Sequence, residues 1–199
     1  MRDPRVTEWW QGQIIMIAHC DGSRYCRVYE SLDMGTMWKE AVRRLPGIWV
    51  NAPSGAYQKE SLRVEALITA TIEGRKVMLY THKTSHPLEA SEPNALYLWV
   101  TDNNRTLHIG PVSVDGVVNK SFDNTLLYSD GALHLLQAKG DHESTDISLA
   151  RLTDELNTIN STLSTWARLD TFFSKSSIST AGLVAALSNA AGDDTWIDD

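Results

Sequence analysis

A chain of 199 residues with 42% hydrophobic and 22% charged side chains has the composition of a folded globular protein, and its length suffices for one domain with a substantial core. The formal net charge of −7 and the shortness of the basic pair Arg43-Arg44 exclude a broad phosphate-binding surface, so no nucleic acid is expected as a partner. No apolar run reaches the length of a membrane helix and Met1-Arg2-Asp3-Pro4 opens without the apolar core of a signal peptide, which implies no membrane insertion and, as written, a cytosolic chain.

From residue 13 to about 152 the chain reads as short β-rich runs between turns: Gln13 to His19, Tyr25 to Ser31, Leu62 to Ile72, Arg75 to Thr81, Ala95 to Thr101, Arg105 to Val112, Thr125 to Tyr128, Ala132 to Gln137 and Asp146 to Leu152. The connections Asp21-Gly22, Glu73-Gly74, Asp102-Asn103-Asn104 and Ser129-Asp130-Gly131 hold the residue types that tolerate a left-handed backbone, so neighbouring strands should pair antiparallel. The class is all-β. Cys20 and Cys26 flank the first of these turns; either a disulfide across a hairpin or two free thiols fits, and two thiols alone make no zinc site. No metal and no cofactor is expected.

After Leu152 the period changes. Leu152, Leu156, Ile159, Leu163 and Trp166, continuing to Leu169 and Phe173, recur at steps of three and four, and Thr153-Asp154-Glu155 supplies a capping hydroxyl and negative charge, which predicts a helix over 153–175. Its polar face lacks basic residues, so the stripe reads as a packing face rather than a membrane-surface helix. Residues 176–180 read as a linker, followed by the apolar run 181–187 and an acidic tail, 193–199. Three sequons, at Asn104, Asn119 and Asn160, are candidate glycosylation sites and fit a secreted ancestry.

Ser31-Leu32-Asp33-Met34-Gly35-Thr36-Met37-Trp38 fits the pattern S-x-D-x-G-x-x-W, the Asp-box. Its spacing suits structural roles: the Asp33 carboxylate caps turn N–H groups, Gly35 takes an unusual φ and Trp38 covers the hairpin below, with Ser31 opening the motif.

Together with this box, the segments Val28-Tyr29-Glu30-Ser31, Ala70 to Thr81, Leu98-Trp99-Val100-Thr101-Asp102-Asn103, Leu126-Leu127-Tyr128, Leu163-Ser164-Thr165-Trp166 and Ala181-Gly182-Leu183-Val184 resemble the trypanosomal trans-sialidase and sialidase-like surface proteins, nearly end to end. The resemblance implies a partial six-bladed β-propeller, about its last three blades, over 1–152. It further implies a connecting helix over 153–175, and over 176–199 a linker with the first strand of a lectin-like β-sandwich. An open half-propeller exposes strand edges, so aggregation and instability of the separate chain are expected.

Sialic acid bears a carboxylate on the carbon where substitution occurs, and sialidases therefore use a tyrosine as nucleophile, a neighbouring carboxylate as its base and arginines to clamp the substrate carboxylate. The resemblance puts Tyr128 on the nucleophile and Asp3, one methylene shorter, on the activating glutamate. Of the clamp, one arginine falls on His19 in a region with an insertion and another on Pro93; the third, with the general-acid aspartate, falls before residue 1. Near Ser91 the acceptor-binding aromatic is replaced. The reading is a non-catalytic relative of surface glycoproteins that bind sialylated or other host glycans or matrix proteins. The alternative is an active exo-α-sialidase or trans-sialidase acting through the tyrosine.

Overall fold

The structure, a computed structural model, describes residues 2–19, 26–41, 45, 63–84, 95–114, 120–140 and 145–175. Among the described residues eleven strands and one helix follow in order: β1 Arg2–Trp10, β2 Gln13–His19, β3 Cys26–Ser31, β4 Lys39–Glu40, β5 Arg63–Ile72, β6 Arg75–Thr84, β7 Ala95–Thr101, β8 Thr106–Val114, β9 Lys120–Ser129, β10 Ala132–Gly140, β11 Thr145–Arg151 and α1 Thr153–Lys175. They form three antiparallel sheets, β1-β2-β3-β4, β5-β6-β7-β8 and β9-β10-β11. Each sheet is a meander that begins at an edge strand. The expected all-β class is what the chain adopts.

The turns carry the chemistry the sequence suggested. Glu73 and Gly74 take φ of 49° and 72° between β5 and β6, Asp130 and Gly131 take 52° and 71° between β9 and β10, and Asn103 takes 73° between β7 and β8. Two successive residues with positive φ give the type I′ twist that matches antiparallel strands. Asp21-Gly22 lies outside the described residues. β1 is an addition to the sequence reading: Pro4 and the charges at Arg2, Asp3 and Arg5 hide a strand that pairs with β2 from Arg2↔His19 to Trp10↔Gln13.

Alternation sets the packing. Trp9 on β1, Ile15 and Ile17 on β2 and Val28 on β3 face Val64, Leu67, Met78 and Tyr80 of the second sheet, with Ala41 and Leu45 in the same cluster. Ile15, Ile17 and Val28 are 1% exposed or less, and each such side chain contributes about 2 kcal/mol of burial free energy. On the far face of the third sheet Leu127, Leu136, Ile147 and Leu149 remain 57%, 40%, 74% and 67% exposed.

Two compact units divide the chain, Met1–Leu163 and Ser164–Asp199, the division falling within α1. In the first, Leu152, Ile159 and Leu163 are buried as the stripe requires. In the second, Trp166 is buried, but Leu169 is 40% exposed, so the buried stripe is shorter than its sequence pattern. The first helical bond runs from Leu156 N–H to Leu152 C=O, which makes Thr153 the first helical residue rather than the cap. Among the described residues no helix is long and apolar enough to cross a membrane. Residues 176–199, where a lectin-like strand was expected, lie outside the described part.

Candidate functional site

Contacts between sheets show how the first strand of each stands beside the others. Thr7 Oγ1 on β1 lies 2.9 Å from Thr69 Oγ1 on β5. Thr81 Oγ1 donates to Asn124 Oδ1 on β9 at 3.2 Å, and the ladder partner of Thr81 on β5 is Ala66. Arg5 Nη2 on β1 reaches Asp123 Oδ1 on β9 at 3.9 Å. Repetition of blades by rotation about a central axis makes equivalent strands run the same way along it. Each of β1, β5 and β9 leads into a tight turn with positive φ, at Gly12, Glu73-Gly74 and Asp130-Gly131. The three strands thus form the inner wall, with Arg5, Leu67 and Asp123 to Asn124 at one height.

That alignment locates the residues named from the resemblance. Asp3 lies near the entry end of β1, and Tyr128, paired with Leu133, lies beside the β9–β10 turn at the exit end of β9. With about 3.3 Å per residue, Tyr128 stands roughly 16 Å beyond Asp123, while Asp3 lies on the other side of Arg5. The backbones of Tyr128 and Asp3, expected as nucleophile and base, thus stand at different heights along these strands. His19 closes β2, but neither its side chain nor that of Asp3 is among the described ones, and Pro93 and Ser91 lie outside the described residues.

The Asp-box forms as its spacing requires. Asp33 Oδ1 accepts from Met37 N–H at 2.9 Å and from Ser31 Oγ at 2.7 Å, Ser31 Oγ accepts from Gly35 N–H at 2.8 Å, and Trp38 Nε1 donates to Gly35 C=O at 2.9 Å. The Met37 N–H and then the Ser31 hydroxyl hold the Asp33 carboxyl below its ordinary pKa. Met34 and Gly35 take φ of 60° and 91°, and Gly35 lies against Ile14 and Trp38. Ser31 is 1% exposed, so Ser31→Ala strands the Gly35 N–H in the turn; we expect a loss of about 2 kcal/mol, measured by urea denaturation. A loss under about 0.5 kcal/mol would show that the box holds without its serine.

Sequence reasoning passed over a polar-aromatic cluster on the second sheet. Trp99 Nε1 donates to His82 Nδ1 at 3.2 Å, Tyr97 and Trp99 lie against that imidazole, His108 lies against Tyr97 and Trp99, and Tyr80 is stacked on Trp99. Burial, and secondarily the charge of His108, lowers the His82 pKa to about 4, while burial raises Tyr80 well above its ordinary value. Among the sequons, Asn104 is exposed in the β7–β8 turn, Asn160 is helical with its Oδ1 buried, and Asn119 lies outside the described residues. Cys20 also lies outside them. Among the described residues no group of His, Cys, Asp or Glu is arranged to hold a metal ion.

A fan of antiparallel meander sheets around an axis, with an Asp-box closing a β-turn of the first, is the architecture of the sialidase-type propeller. Residues 1–144 match the family model described as BNR repeat-like domain. "Sialidase 85-1.1" of Trypanosoma cruzi is 51% identical over 196 residues, covering 98% of this chain and 26% of the relative. A second Trypanosoma cruzi "Sialidase" is 34% identical over 157 residues, covering 79% of this chain and 13% of the relative. The solved Trypanosoma rangeli sialidase in complex with sialic acid superposes with a TM-score of 0.67 at 32% identity, covering 94% of this chain and 29% of that one. The chain belongs to the trypanosomal sialidase and trans-sialidase superfamily, and it spans about a quarter or less of the length of these curated relatives.

Proposed function

We propose that this chain is the later part of a sialidase-like propeller that recognises sialylated glycans without cleaving them. The observation that carries the reading is the separation of Tyr128, beside the β9–β10 turn, from Asp3 at the far end of β1. A tyrosine nucleophile needs a carboxylate within hydrogen-bond reach, and a charge clamp for the substrate carboxylate. The second reading, an exo-α-sialidase or trans-sialidase using residues of a longer protein, is favoured by the names of the relatives. Display at a cell surface and binding to host matrix proteins follow from the family resemblance and belong to the same proposal.

The test is release of 4-methylumbelliferone from its sialic acid conjugate by the 199-residue chain and its Tyr128→Phe variant. We expect neither to exceed the blank rate. Turnover that disappears in Tyr128→Phe would make Tyr128 the nucleophile and overturn the non-catalytic reading.

A further inference from the structure

Alternation gives the first and third sheets apolar far faces. On the first sheet Thr7, Ile15, Ile17 and Val28 look toward the second, as the Thr7–Thr69 contact and the shared core require. Their chain neighbours Val6, Ile14, Met16 and Tyr29 look the other way, Val6 50% exposed and the rest half-buried. Val6, Met16 and Tyr29 are ladder partners and form one row across this face. On the third sheet Asn124 points toward Thr81 of the second, so the opposite face carries the row Thr125, Leu136 and Leu149, with the exposed Leu127 and Ile147 beside it.

The two rows stand at one height. Arg5 and Asp123 lie level, Val6 follows Arg5, Thr125 comes two residues after Asp123, and β1 and β9 run the same way along the axis. Sheets pack through such rows at a spacing of about 10 Å. The charges beside the rows are of opposite sign: Glu8 on the first face and Arg151 on the third, each toward the β1–β2 or β9–β10 turn. Seven residues of β11 rise about 23 Å and three strands span about 14 Å, so each face offers about 320 Å².

We infer that two copies of this chain close on each other head to tail. The third sheet of each packs its outer face on the first sheet of the other, and six sheets then surround one axis. Rings of this kind hold roughly four to eight sheets. Two seams cover four faces, about 1,300 Å² in all, within the roughly 1,200–2,000 Å² that specific interfaces bury. Because the contact joins two different faces, it ends after two copies where three sheets take half a turn, and runs on as a polymer where they do not. The inference is independent of the glycan-binding reading, and it replaces open-ended aggregation with a closed pair.

The test is sedimentation equilibrium of the 199-residue chain over a range of concentrations, beside Leu149→Lys on the third sheet and Val6→Lys on the first. Both positions are exposed in the separate chain, and unchanged far-ultraviolet circular dichroism checks that each variant folds. We expect the unaltered chain at twice its own mass. Each lysine, placed without a partner in a seam, should raise the dissociation constant at least about tenfold. An equal mixture of the two variants should dimerise more tightly than either alone, because the third sheet of Val6→Lys meets the first sheet of Leu149→Lys at one unaltered seam. A dimer weakened in Leu149→Lys but unchanged in Val6→Lys would mean that two third sheets pack on each other, and would overturn the head-to-tail ring. A series of species larger than a dimer would overturn closure after two copies. A single-chain mass at every concentration would overturn the inference outright, and a lowered urea midpoint of Leu149→Lys in that case would put residues 176–199 of the same chain on the face instead.

Discussion

Asp102→Ala is expected to lower the unfolding free energy of the propeller part by about 3 kcal/mol, as removing one partner of a buried ionic network does. The side chain of Asp102 is 6% exposed. Its Oδ1 accepts from Asn104 N–H at 3.0 Å and Arg105 N–H at 2.7 Å, and its Oδ2 from Arg105 Nε and Nη2 at 3.1 and 2.8 Å. Arg75 adds a longer contact at 3.5 Å. Alanine would leave two guanidinium groups facing each other and two turn N–H groups unmet. Each charge-assisted bond is worth roughly 1.5–3 kcal/mol, but Arg75 and Arg105 are 25% and 30% exposed, and water screens part of the loss. The next residue carries the effect outward, because Asn103 Oδ1 accepts from the buried N–H of Leu45 at 3.1 Å and ties the segment after the first sheet to the second. Urea denaturation of Asp102→Ala beside Asp102→Asn checks this: the asparagine keeps Oδ1 and should lose less. Equal losses, or an alanine loss below 1 kcal/mol, would mean that the turn geometry alone holds this corner.

Asp102 also shows where the sequence was informative and where it was not. Its place in a turn was legible, since Asp102-Asn103-Asn104 is local chemistry; its role in holding Arg75 was not, because that pair depends on how β6 lies beside the β7–β8 turn. The same distinction runs through the molecule. Glu73-Gly74, Asp130-Gly131 and the Asp-box were readable because each is closed by bonds within a few residues. The helix was readable from Leu152 to Trp166 because its period is intrinsic, but the exposure of Leu169 depends on what packs there. β1 was missed because Pro4 and its charges outweigh its alternation, whereas pairing with β2 decides the outcome. Tyr128 was placed by likeness of neighbours, which says nothing of axial height, and the Arg5–Asp123 pair has no local signature because it joins β1 to β9.

His82 is the other position where a large effect is expected, and its sign follows from geometry before any titration. Nδ1 accepts the Trp99 N–H at 3.2 Å, so the neutral ring carries its proton on Nε2, which is buried and without a partner. Protonation would turn Nδ1 into a donor facing another donor and place a charge in a site only 6% exposed. The folded-state pKa therefore falls from 6.5 to about 4, through burial first and the charge of His108 second. The unfolded chain takes up this proton first as the pH drops. Stability is then fully present above pH 6.5, lost progressively between 6.5 and 4 and constant below, to a total of about 3 kcal/mol from this group. His82→Asn can accept from Trp99 but cannot titrate in this range, so its deficit relative to the unaltered protein should shrink as the pH is lowered from 7 to 4. Carboxylates that lose their partners in acid act on both proteins alike, so the difference between the two urea midpoints isolates His82. A difference that stays constant over that interval would show that the imidazole takes up its proton in the folded protein without cost, and that the seam around Trp99 and His108 opens more readily than its packing implies.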